Sequence, residues 1–213
     1  MLNRTILAAA ALAAFSTATP ALATPEAVLP SRADVTGVAA DDELNIRAAP
    51  DAGAEIRGAL PHDATGVEVL GFDPSGRWAR VSMPESTGWV SGRFLVLDRA
   101  TWAQGEVPET LHCVGTEPFW SLSRTDGGLE LSRPDTVTRS MDLRVVLDRG
   151  IDGDAMRSLI AGDDSGRVTA VIQPQACSDG MSDREFGLSA TVIMDGQGQG
   201  SQMLTGCCSV AVR

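Results

Sequence analysis

Leu44-Asn45-Ile46-Arg47-Ala48-Ala49-Pro50, Trp78-Ala79-Arg80-Val81 and Thr87-Gly88-Trp89-Val90 decide the fold of the first half of the chain. Leu44–Arg47 and Trp78–Val81 alternate apolar and polar positions, the spacing of a half-buried β-strand, and Thr87–Val90 reads as a short strand. Ile56, Gly58 and Leu60 keep the same period, and Val67-Glu68-Val69-Leu70 is another short strand-forming run. Ala49-Pro50-Asp51-Ala52-Gly53 and Asp73-Pro74-Ser75-Gly76 have turn compositions. Phe94-Leu95 closes the series. About five short strands within residues 34–97, with no helical period, predict a small β-barrel. A barrel of this size needs its aromatics for stability, so at least one of Trp78 and Trp89 is expected in the core. Arg47 lies on the polar phase of its strand and is expected at the surface. A ligand groove would use Trp89 and Arg47 with the loop acids Asp41 and Asp42.

These segments resemble the bacterial SH3 domain, whose pattern runs roughly L-N-V-R-x-x-P, I-G-x-L, W-x-x-V and G-W-V in that order. The likeness spans most of residues 34–97, with Ala48-Ala49 where a Ser/Ala-Gly pair is commoner. It implies an envelope-facing binding module. Some relatives bind cell-wall peptides, and others serve as spacers or interaction domains.

Residues 98–111 read as a linker, with Trp102 expected to pack at a domain edge. Beyond it, residues 112–213 are again β-rich. Strands are predicted at 119–124, 129–132, 143–148, 167–172, 188–194 and 202–204, with 210–212. Asp126-Gly127-Gly128, Asp163-Asp164-Ser165-Gly166 and Asp195-Gly196-Gln197-Gly198 form turn-like joins. Met156, Leu159 and Ile160 share a helical face and predict one short helix over 154–161. The fold class is therefore mainly β: an SH3-like small barrel followed by an antiparallel β-barrel or sandwich of roughly six to eight strands with one short helix.

Three segments of this second half stand out. They are Cys113-Val114-Gly115-Thr116-Glu117-Pro118-Phe119-Trp120, Cys177-Ser178-Asp179-Gly180-Met181-Ser182-Asp183 and Leu204-Thr205-Gly206-Cys207. They are similar to a family of uncharacterised exported bacterial proteins, many of them lipoproteins, with the pattern C-x-G-T-E-P-F-W, C-x-D-G-M-S-D and G-C. This chain lacks a lipid-attachment Cys near its start and adds Cys208. Among these residues, Glu117, Trp120, Asp179 and Asp183 are the candidate ligand contacts. Glu117 is a candidate for burial near Cys113, and Trp120 for the floor of a cavity. For Asp179 the favoured alternative is an Asx-type turn with Gly180 at positive φ.

Residues 1–23 read as a secretory signal: Arg4, an apolar run from Ile6 to Phe15, then Ala21-Leu22-Ala23. The run is too short to cross a bilayer, so the expectation is a periplasmic or secreted protein with no membrane span. Residues 24–33 read as a disordered leader. Export places Cys113, Cys177, Cys207 and Cys208 in an oxidising compartment, where an even count favours disulfides. A bond between the neighbours Cys207 and Cys208 is the least favoured pairing. Cys113 and Cys177 would each take one of them, or one bridge would leave free thiols.

The formal charge of −11 disfavours nucleic acid and anionic lipid as partners. No metal or cofactor is expected: the loop from Asp148 lacks the bidentate acid of a calcium loop, Leu159 standing in its place. Gly196, Gly198 and Gly200 do not complete a phosphate loop. No catalytic residues are expected either. His62 and His112 are the only histidines, and both precede Cys113, which does not suit a wall cysteine peptidase. They are too few for a zinc amidase, and no G-x-S-x-G elbow occurs. His112 and Cys113 would form a thiolate–imidazole pair only if strand neighbours faced each other. The reading is a non-catalytic binding or envelope-adaptor protein whose partner is cell-wall peptide or an envelope protein. The alternatives are a lysozyme-inhibitor-like or stress-protective protein, and a carboxylate-dependent wall hydrolase.

Overall fold

Alternation along Ser31–Val35 (β1), Glu43–Arg47 (β2), Ile56–Pro61 (β3), Val67–Phe72 (β4), Trp78–Ser82 (β5), Thr87–Ser91 (β6) and Leu95–Leu97 (β7) builds one antiparallel sheet, ordered β3-β2-β6-β5-β4-β1-β7, a small SH3-like barrel left open between β3 and β7. The structure, a computed structural model, describes residues 28–134, 136–196 and 200–211. The proposed signal segment lies outside them. Leu44 and Ile46, Ala79 and Val81, and Val90 are buried as their spacing predicts, and Ala33, Val35, Val67 and Val69 complete the core.

Two expectations fail here. Trp78 and Trp89 both fall on the outward phase and are only half-buried. Small aliphatic side chains fill the core, so the fold does not need either ring inside. The leader also differs: Ser31–Ala33 are part of β1, paired with β4 and β7. This strand seals the sheet beside β4, with Ser31 and Ala33 buried.

The linker is packed, not loose. Trp102 is buried and donates from its indole Nε1 to the Pro30 carbonyl at 2.6 Å. Arg157, itself buried, donates to the carbonyls of Trp102, Ala103, Glu106, Asp154 and Met156 and stacks over Trp102. A buried guanidinium needs its donors satisfied, and the linker backbone provides most of those acceptors. This geometry pins residues 102–106 to the second barrel.

That barrel is formed by His112–Thr116 (β8), Phe119–Thr125 (β9), Gly128–Ser132 (β10), Arg139–Leu147 (β11), Arg157–Asp163 (β12), Gly166–Cys177 (β13), Phe186–Gly196 (β14) and Gln202–Ser209 (β15). Each strand pairs with the next, and β15 pairs with β8 to close the ring. Inward positions such as Leu122, Leu129, Leu159, Ile172, Leu188 and Val192 are fully buried and make one apolar cluster. Closure leaves no sheet edge to protect.

The predicted helix over 154–161 does not form: residues 157–161 are the start of β12, and 154–156 lead into it without regular structure. Leu159 and Ala161 point inward while Ser158 and Ile160 lie on the outer phase. Ladder bonds to β11 and β13 override a helical pattern only two turns long. Among the described residues the helical content is a 3₁₀ turn at Gly92–Phe94, in the first barrel.

Adjacent Cys207 and Cys208 point to opposite faces of β15, as period two requires. Cys208 bonds inward to Cys113, its cross-strand partner on β8. Cys207 bonds to Cys177 at the end of β13, bridging past β14. Two glycines seat Trp120: a Cβ at Gly115 or Gly206 would overlap its indole. The G in each of the two motifs is thus the slot for the W in the first.

The bridges enclose loops of 95 and 30 residues. Replacing Cys113 and Cys208 by Ala is expected to cost about 4–5 kcal/mol, and replacing Cys177 and Cys207 about 3–4 kcal/mol. Urea unfolding of both double variants checks the order.

Candidate functional site

The second barrel meets the first around one buried carboxylate. Glu68, on β4, has a fully buried side chain. It accepts from Ser82 Oγ at 2.7 Å, Ser209 Oγ at 2.8 Å and the Val210 N–H at 2.8 Å, with the Arg184 guanidinium 3.7 Å away. Arg80 and Glu185 form an ion pair across the same junction. Gly187 lets Pro30 and Leu70 approach, since a Cβ there would lie 3.0 Å from the Pro30 ring.

Above this junction runs a groove made of two adjoining hollows of about 500 and 480 Å³. Met83, Pro84 and Glu85, from the β5–β6 turn, form one wall of the first hollow, facing His112, Arg184 and Phe186. The second hollow runs on between Phe119 and Met181 to Arg133, over Trp120. Glu85, Val114, Asp179 and Ser182 line both. Phe119 and Met181 are 54% and 68% exposed, an apolar pair at the rim.

The motif segments converge here. Asp179 accepts from the Met181 and Ser182 N–H groups at 3.0 Å and from Ser182 Oγ, and Gly180 sits at φ +71°. This is the Asx-type turn. Burial alone would raise the Asp179 carboxyl, but those hydrogen bonds and the Arg184 charge outweigh it and hold it below its ordinary value. Thr116 Oγ1 donates to the Asp179 carbonyl at 3.2 Å, tying the first motif to the second.

The other candidates scatter. Trp120 is buried and donates from Nε1 to the Thr205 carbonyl at 3.2 Å, so it is a floor whose body packs in the core. Glu117 is exposed, not buried near Cys113, because it falls in the two-residue β8–β9 turn beyond the strand that carries Cys113 inward. The Asp183 side chain is exposed, and its carbonyl receives Thr87 Oγ1. His112 places Nδ1 2.9 Å from Ser123 Oγ while Cys113 is bridged to Cys208, so no thiolate–imidazole pair forms.

Arg47 belongs to a second location, where Trp78 and not the expected Trp89 is the tryptophan of the hollow. Arg47 and Trp89 are cross-strand partners on the outer face of the first barrel. Arg80 stacks over Trp89. Arg47 donates to the Ala54 carbonyl at 2.8 Å and lines a hollow of about 490 Å³ with Asp42, Asn45, Trp78, Arg93 and Phe94. Of the predicted ligand residues the groove thus takes Trp120 and Asp179 and this hollow takes Arg47, while Trp89, Glu117 and Asp183 line neither. Sequence reading missed Arg184, which directly follows the second motif, and Glu85, which only the meeting of the barrels brings to the groove.

Residues 42–96 match the family model described as the bacterial SH3 domain. The first barrel extends beyond that match through β1. No curated protein and no solved structure matches the chain.

Because the Asp179 carboxyl is held low, its contribution to the turn is present above the ordinary carboxylate pKa and is lost as pH falls through the lowered value. Hydrogen exchange, corrected for intrinsic rates, is expected to show Met181 and Ser182 amides protected at neutral pH and released in acid, with Asp179→Ala unprotected at both.

Proposed function

We propose that this is a non-catalytic envelope-adaptor protein whose first barrel docks on cell-wall peptide. The bacterial SH3 match carries the reading. The hollow on that barrel has the right chemistry for such a ligand, which combines amines with carboxylates. Asp42 and Glu43 offer acceptors, Arg47 and Arg93 offer paired donors, and Trp78 and Phe94 give apolar surface. The second barrel presents its motif groove to a further ligand or envelope protein. Two disulfides fit an extracytoplasmic setting.

A carboxylate-dependent hydrolase is less well supported. Its general acid needs a raised pKa, whereas Asp179 is lowered and committed to a turn. Glu117 stands exposed.

Sedimentation with purified peptidoglycan tests the wall-binding reading. The chain from residue 24 onward is expected to co-sediment, and Arg47→Ala with Trp78→Ala to weaken retention by about tenfold. No retention of the unaltered protein would remove wall binding from the account.

A further inference from the structure

The motif groove runs along the outer face of β8. Of that strand's outward side chains, His112 lines the first hollow, Thr116 the second and Val114 both. His112 and Thr116 stand four residues apart on the strand, about 13 Å. The two hollows in series therefore match about four residues of extended chain. Where the hollows adjoin, carboxylates come from opposite walls. Glu85, on the β5–β6 turn of the first barrel, and Asp179, on the motif turn, line both hollows. The arginines lie at the ends: Arg184 lines the first hollow alone and Arg133 the second alone. Both are engaged already, Arg184 by Ser209 with Glu68 3.7 Å away, and Arg133 by Gln202 at 3.0 Å. Asp179 keeps its charge while it holds the turn, because its carboxyl lies below its ordinary value. The rest of the lining is largely apolar: Met83 and Pro84 on one wall, Val114 on the floor, Phe119 and Met181 at the rim.

We infer that the groove, taken as the ligand surface proposed above, binds an extended peptide segment of a partner protein, with a Lys or Arg where the hollows adjoin and apolar side chains on either side. Length selects a chain: a compact molecule would fill one hollow and leave the other. Charge selects the central residue, since Glu85 and Asp179 border the same stretch from walls that belong to different barrels. The net charge of −11 steers basic partners toward this protein and basic segments toward such a stretch. The flanking residues follow from Phe119 and Met181, 54% and 68% exposed, which a ligand with apolar side chains would cover. The thioethers of Met83 and Met181 adapt to side chains of different shape. Ser121 and Ser132 border the second hollow and can meet the peptide's backbone N–H and C=O groups. Cell-wall peptide is the poorer occupant, because its alanines and acids offer little to cover that rim.

An array of acetylated, amidated pentapeptides of varied sequence tests this, probed with the chain from residue 24 onward with both disulfides formed. Retained peptides are expected to be enriched in Lys or Arg flanked by large apolar residues. Glu85→Lys should abolish the basic preference. Phe119→Ser with Met181→Ser should weaken retention at least about tenfold. All three side chains are exposed, so circular dichroism should not change. Three results would overturn the inference and leave the groove a binding surface: groove-dependent retention without a basic preference, a preference that Glu85→Lys does not alter, or displacement of the peptides by a soluble muramidase digest of peptidoglycan. If no retention depends on Phe119 and Met181, the inference and the groove reading both fall.

Discussion

The Glu68 carboxylate is the constraint on which the arrangement of the two barrels depends. It leaves water completely and is held by one donor from its own barrel and two from the other, with Arg184 nearby. A buried charge is tolerated only when its hydrogen-bonding capacity is met. Here that requires both barrels in place at once. Separating them would break the Ser209 and Val210 hydrogen bonds to Glu68 and part it from Arg184. Arg157 sets a similar condition at the linker, because its acceptors come from residues 102–106 as well as from the second barrel. The groove walled by the β5–β6 turn on one side and the Asp179 turn on the other exists because of these contacts.

Much of the fold was legible in the residues. Alternation at Leu44–Arg47, Trp78–Val81 and Leu188–Met194 marked strands, since a half-buried strand leaves no other pattern. The motif glycines and Trp120 were visible as a set, and their reason is steric: Gly115 and Gly206 open the slot that the indole fills. What escaped was whatever depends on distant partners. Glu68 sits in Val67-Glu68-Val69-Leu70 like any outward polar residue, and only packing against β15 buries it. Residues 154–161 carry a spacing that suits a helix, and closure of the ring decided for strand from Arg157 onward. Ser31–Ala33 have no strong strand signature and join the sheet because β4 and β7 leave a place between them.

The candidate sites were legible in part. Asp179, Trp120 and Arg47 do line hollows, but in two places on different faces. The spacing of residues along a chain says nothing of whether two barrels present them together. Arg184, Glu85 and Met83 entered the groove through tertiary contact alone. The resulting division is spatial: a charged, aromatic hollow on the SH3-like domain and a motif groove at the junction lie apart.

Calorimetry of the wild type beside Glu68→Ala tests the junction most directly. The account predicts one cooperative transition for the wild type. It predicts that the variant loses about 3–5 kcal/mol or melts in two steps as the barrels uncouple. Two independent transitions in the wild type, or a variant that melts unchanged, would contradict it.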